Sequence, residues 1–144
     1  MSSIRSIQRL AIVNRGEAAM RCIRAVKSLR TLEHTEMQVI ALYTEGDSDA
    51  PFVRHADRAI DITNPKGAVA AYLDHDALIH ALRECGADAV WPGWGFVAED
   101  PTFVERLHEE GIAFLGPTSD AMKALGDKIT SKELAEKAGV PVTA

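Results

Sequence analysis

Cysteine is scarce: Cys22 and Cys85 are the two in 144 residues. With no C-x-x-C pair, a disulfide framework and a cysteine metal clip are both excluded. Both cysteines fall on apolar faces of predicted helices, as buried free thiols do in a reducing compartment. Long apolar runs are missing too; none approaches the ~18 residues of a membrane span. Positive charge is in deficit, with 16 Lys+Arg against 21 Asp+Glu and a net charge of −5. A nucleic-acid binder needs a dominant basic face, so no nucleic-acid partner is expected. The five histidines are scattered, and none pairs at i,i+4, so no metal site is expected. The N-terminus carries Arg5 and Arg9 among serines. The first strand is expected by Leu10, which leaves too little chain for a removable leader, and the expected location is the cytoplasm.

Three phosphate-binding signatures are also absent. There is no G-x-G-x-x-G after the first predicted strand, where a dinucleotide fold needs its backbone bare against a pyrophosphate. There is no G-x-x-x-x-G-K-[ST], which excludes a P-loop. Asn14-Arg15 stands where a phospho-receiver domain would carry an acidic pair.

What is present is ordinary globular composition, 47% apolar and 26% charged, in a chain of one domain's length. Its hydrophobic period alternates between two types. Leu10–Val13, Val39–Tyr43, Arg58–Ile62, Ala87–Trp91 and Ile112–Leu115 read as short strands. The first two are continuous apolar runs, the pattern of strands covered on both faces. Residues 17–30 have helical spacing, with Ala19, Cys22, Ile23, Val26 and Leu29 on one face. Pro51–Ala56 reads as one or two helical turns, and the stretch from Asp61 to Ala71 is irregular. Asp74 reads as the N-cap of a helix burying Leu78, Ala81, Leu82 and Cys85, ended by Gly86. Thr102–Glu110 is a helix burying Phe103, Val104 and Leu107. Ser119–Leu125 is a short helix, and Thr130-x-x-Glu133 is a capping box opening another, which ends at Gly139.

Strands alternating with helices imply an α/β fold, a doubly wound, mostly parallel open sheet. Residues 1–117 are expected to form that domain and residues 118–144 a helical C-terminal extension. The chain stops at Val140-Pro-Val-Thr-Ala144, where an extended segment starts, so a fragment of a longer polypeptide is expected.

Ligands of such sheets lie outside the carboxyl ends of the strands. The loops there are 14–17, 44–49, 92–100 and 116–120. Gly93-Trp94-Gly95 reads either as a tight turn or as backbone left bare for a ligand. Trp91 and Trp94, both taken to face outward, favour the ligand. Glu17, Arg21, Arg24 and Ser28 form a polar stripe on the first helix, either a solvated face or a subunit contact. Lys128, in a break between two helices, reads either as a surface lysine or as a mobile charge reaching an anion.

Three segments carry a resemblance. Val13-Asn-Arg-Gly-Glu-Ala-Ala-Met-Arg21, Trp91-Pro-Gly-Trp-Gly-Phe-Val-Ala-Glu-Asp100 and Phe114-Leu-Gly-Pro-Thr through Gly126-Asp-Lys-Ile129 resemble the N-terminal domain of biotin carboxylase. That component is shared by acetyl-CoA, propionyl-CoA and pyruvate carboxylases. The family usually reads His-Pro-Gly-Tyr-Gly-Phe-Leu-Ser-Glu-Asn in the second segment. Here Trp91 replaces the His, Trp94 the Tyr, Val97-Ala98 the Leu-Ser and Asp100 the Asn.

The resemblance implies a Rossmann-like pre-ATP-grasp domain that continues into an ATP-grasp remainder. It implies ATP, Mg²⁺ and biotin as cofactors of the full-length enzyme. There, ATP phosphorylates bicarbonate to carboxyphosphate, and the carboxyl group passes to the ureido nitrogen of biotin. Lys128 would be the ATP-phosphate lysine, and Gly93, Trp94 and Gly95 would line the active site near biotin. Arg21 and Arg24 would sit at a homodimer interface. The carboxylates that hold metal and the catalytic residues would lie beyond this chain, which by itself would be inactive. Biotin carboxyl carrier and carboxyltransferase components would be its partners. The competing reading is a non-catalytic nucleotide-binding or dimerisation module with the same fold; a glycine-rich ATP-grasp loop and paired Glu residues after Ala144 would decide between them.

Overall fold

A computed structural model of the chain describes residues 6–126 and 128–142, with the side chains of Lys128 and Thr130 outside that description. The segments read as short strands form five strands: β1 (Arg9–Ile12), β2 (Gln38–Tyr43), β3 (Arg58–Asp61), β4 (Ala89–Trp91) and β5 (Ala113–Phe114). They make one sheet in the order β3-β2-β1-β4-β5, and each neighbouring pair is parallel. Helices α1 (Gly16–Glu33), α2 (Pro51–His55), α3 (Ala68–Ala71), α4 (His75–Cys85), α5 (Pro101–Glu109), α6 (Ser119–Gly126) and α7 (Lys128–Lys137) complete the order. The expected doubly wound parallel sheet is therefore the fold.

Side chains alternate across a strand, so a strand with no polar position must be covered twice. Leu10 and Ile12 of β1 join Ala19, Cys22, Ile23 and Val26 of α1 and Phe52 of α2 in one core. Ala11 and Val13 point the other way and join Leu78 and Leu82 of α4 and Phe103 and Leu107 of α5 in a second. Burial of these side chains is the main stabilising term, roughly 1.5–3 kcal/mol for each large apolar group.

The caps follow the sequence. Asp74 accepts from the Ala77 amide at the start of α4, and Gly86 ends that helix with φ +66°. Asp100 accepts from the Thr102 and Phe103 amides, with Pro101 as the first residue of α5. Asp57 ties the end of α1 to the sheet. It pairs with Arg30 and accepts from the Val39 amide at 2.7 Å.

Several expectations need correction. The first helix runs on to Glu33, because nothing in Arg30–Glu33 breaks it before His34 enters the left-handed region at φ 49°. Leu29 is 40% exposed rather than part of the core face. A short helix, α3, stands in the stretch read as irregular. Helix α7 begins at Lys128, so Thr130 lies in its first turn and is not an N-cap.

Candidate functional site

All five strands end at the same sheet edge, because all are parallel. The chain leaves β1 towards β2 on one side, while β4 lies on the other. This reversal opens a crevice between the loops that follow β1 and β4, where such folds bind ligands. The expected loops 14–17 and 92–99 meet there.

Asn14 is the residue that joins them. It is 3% exposed, and Thr44 is the other buried polar residue among those described. Its Nδ2 donates to the carbonyl oxygens of Pro92 at 2.7 Å and Trp94 at 2.8 Å. Its Oδ1 accepts the Arg15 amide at 2.8 Å. The amide orientation is dictated by its partners, since a carbonyl cannot donate and an N–H cannot accept. Gly93 has φ +63°, and a Cβ there would lie 2.8 Å from Asn14 Nδ2 and 2.9 Å from the Trp91 ring. This glycine is required both by its backbone conformation and by lack of space.

The rest of the loop is pinned from the other core. Phe96 takes φ 47°, rare for a bulky residue, and its ring lies 4.8 Å from that of Tyr72. Tyr72 is fully buried and donates to the Leu42 carbonyl at 2.7 Å. Burial pushes its phenol pKa up; Asp47 adds to the rise and Arg15 opposes it. Asp100, besides capping α5, pairs with His75 Nε2 at 2.8 Å. Between these anchors Trp94 stands 59% exposed.

Beside the crevice, Arg15 forms a two-pronged contact with Asp47, at 2.6 Å for both bonds. That hydrogen bond holds the Arg15 pKa above its ordinary value, against desolvation. Arg15 also lines a cleft of about 440 Å³ with Thr44, Glu45, Thr63 and Asn64.

The structure thus gathers Gly93, Trp94 and Gly95 at the crevice. Trp91 corrects the sequence reading: it is half-buried and packs against the α1 core instead of standing outward. Arg21 and Arg24 are exposed on α1, away from its buried face. Arg21 borders an apolar groove of about 620 Å³ lined by Cys22, Leu29, Met37, Trp91 and Leu115. The Lys128 side chain lies outside the described residues. No group of three or more His, Cys, Asp or Glu among the described residues is arranged to hold a metal. No helix among them is long and apolar enough to cross a membrane. Sequence reasoning missed Asn14, Tyr72 and the His75–Asp100 pair. The one available signal was an asparagine directly after a fully apolar strand.

A family model described as biotin carboxylase, N-terminal domain, matches residues 6–122. Pyruvate carboxylase of Bacillus subtilis is 39% identical over 140 residues, 97% of this chain and 12% of that protein. Biotin carboxylase of Haemophilus influenzae is 37% identical over 135 residues, 94% of this chain and 29% of that protein. Among solved structures, the biotin carboxylase domain dimer of Hydrogenobacter thermophilus 2-oxoglutarate carboxylase, in complex with MgADP, ADP and bicarbonate, superposes with a TM-score of 0.85. The two are 36% identical, with 96% of this chain and 29% of that one covered. The chain spans less than a third of the length of each of these relatives.

Proposed function

Because the chain belongs to the biotin carboxylase N-terminal domain family, we propose that it helps form the ATP and biotin site of a biotin-dependent carboxylase. The overall reaction is ATP- and bicarbonate-dependent carboxylation of biotin. The observation that carries this reading is the loop at the sheet's reversal point, which presents an exposed Trp94 on a rigidly held backbone. Gly93, Trp94 and Gly95 line the biotin side of the site. Lys128, the first residue of α7, contacts an ATP phosphate.

A solved relative is described with MgADP and bicarbonate, which supports ATP and Mg²⁺ as cofactors here. The carboxylates for Mg²⁺ come from an ATP-grasp remainder, and the sheet domain gives way to that connection at residues 117/118. Carrier and carboxyltransferase components are the further partners. The same relative is described as a dimer, which supports a homodimer with Arg21 and Arg24 at its interface. Two buried free thiols support the cytoplasm as the location.

The test uses a polypeptide joining this domain to an ATP-grasp remainder and measures biotin-dependent ADP release. One charge-assisted phosphate contact contributes on the order of 1.5–3 kcal/mol, so Lys128→Ala should lower kcat/KM for ATP by roughly 10–150-fold. Unchanged kinetics would return Lys128 to an ordinary surface lysine. Reversing Arg21 and Arg24 to Glu should shift dimer dissociation to higher protein concentration in sedimentation. Identical association curves would mean that the stripe faces water.

A further inference from the structure

We propose that Asn14 is the positioning residue of this site, the single side chain that sets the shape of the Gly93-Trp94-Gly95 loop. Its importance for carboxylation rests on the reading above, that this loop faces biotin; its role in holding the loop does not.

The geometry leaves few alternatives to asparagine. Two backbone carbonyls, Pro92 and Trp94, converge on one buried point, 2.7 and 2.8 Å from one nitrogen. The Arg15 amide arrives at the same side chain from the other direction. The position therefore needs two donors on one atom and an acceptor on its neighbour. Asn meets this at the required length. Ser has one donor. Asp has the acceptors and, when ionised, no donor. Gln places the same amide one carbon too far. Lys and Arg cannot accept.

Bonding both carbonyls fixes the Pro92–Gly93 and Trp94–Gly95 peptide planes, one on each side of the Gly93–Trp94 unit. The direction of Trp94 and the bare backbone of Gly95 follow from that. Gly93 is the counterpart of Asn14, since a Cβ would meet its nitrogen at 2.8 Å. The loop is then shaped before any ligand arrives, which spares the ordering cost of binding. Asn14 acts on the ligand loop from a buried position in the β1 loop.

The discriminating variant is Asn14→Asp. It keeps the volume and the acceptor for Arg15, but it points an oxygen at two carbonyl oxygens. A buried carboxylate is costly in itself, so the same local signature must also appear in Asn14→Ala, which adds no charge. The test compares wild type, Asn14→Asp and Asn14→Ala by amide hydrogen exchange. Ala98 and Asp100 report on the loop, since their amides donate to Gly95 and Val97. Ile62, bonded to Tyr43 after β3, is the control. The expected result is exchange at Ala98 and Asp100 faster by about tenfold or more, as loss of a buried hydrogen bond predicts, with Ile62 unchanged.

In a Trp91→Phe background Trp94 is the sole tryptophan, and its fluorescence anisotropy should fall in both variants. In the joined carboxylase polypeptide, Asn14→Asp should raise the KM for free biotin with the KM for ATP unchanged. Wild-type exchange and anisotropy in Asn14→Asp would overturn the proposal, as would a rise at Ile62 equal to that at Ala98. Should neither Asn14 variant fold, Gly93→Ala disturbs the same contact from the loop side and must show the same local signature. The exchange and anisotropy measurements contain no ATP or biotin. A joined polypeptide without biotin-dependent turnover would therefore defeat the proposed function and leave the exchange and anisotropy results to decide on Asn14.

Discussion

The sheet and the two helices that follow it are built on different terms. In the sheet, β1 is buried except at Arg9, and α1, α4 and α5 each bury at least three side chains. Helix α6 buries none. Leu125 of α6 is 60% exposed, and Ile129 and Leu134 of α7 are 71% and 46% exposed. Side chains of the sheet domain take their positions from the chain itself. None of the described side chains of α6 and α7 is buried. The crevice loop is held by contacts within the chain, whereas the role proposed for Lys128, on α7, depends on ATP and an ATP-grasp remainder.

The contrast predicts a graded series of effects. Phe103→Ala, in the core beneath α5, should cost about 3–5 kcal/mol in urea unfolding, the usual loss for a fully buried aromatic. A cost near zero would mean that the sheet core is not the stabilising unit.

Asp57→Asn comes next. It weakens the pair with Arg30 and the bond from Val39, and should cost about 1–2 kcal/mol. The pH dependence has a definite sign. The Arg30 contact holds the Asp57 pKa below the ordinary carboxylate value, desolvation opposes this, and the Val39 amide assists. Its stabilisation is present above that ordinary value and is lost as pH falls through the depressed one. Unfolding curves through the acid range should therefore fall more steeply in wild type than in Asp57→Asn. Parallel curves would mean that Asp57 contributes no pH-dependent stability.

Deleting residues 118–144 should change the urea midpoint little. The contacts it removes from the sheet domain include the exposed Lys123–Glu105 pair, and solvent-exposed ion pairs contribute little. A large loss would show that the extension is part of the fold. Smaller still, Ile129→Ser should stay within about 0.5 kcal/mol. Finally, burial pushes the Cys22 thiol pKa up to about 12 and raises that of Cys85 as well. Neither should be alkylated at pH 8 in the native protein, and both should react in urea. Rapid native labelling would contradict their burial.

Much of the sheet was legible because β1 and β2 are short, mostly apolar runs and α4 and α5 carry their own caps. Hydrophobic period and caps are local properties, and they located β1, β2, α4 and α5 within a few residues. Strand ends were less legible. Ala87 and Asp88 looked like the start of β4, and Ile112 like the start of β5. Ladder pairing begins at Ala89 and Ala113, and the flanking residues add single backbone bonds such as Asp88 to Arg9. Trp91 was misplaced because periodicity cannot tell a half-buried strand end from an exposed one. At the site, Gly93-Trp94-Gly95 was visible as composition, and Asn14 was passed over.

The sequence alone determined that a parallel, doubly wound sheet would form, since burying these apolar runs leaves few other arrangements. It also determined which loops share the sheet's carboxyl edge, because parallel strands allow no other placement. Tertiary structure decided what lies opposite what. Asn14 and Trp94 are 80 residues apart in the chain, and nothing local links an asparagine after β1 to two carbonyls after β4. That contact exists because the strand order sets β1 beside β4, and the order is a property of the whole packed sheet.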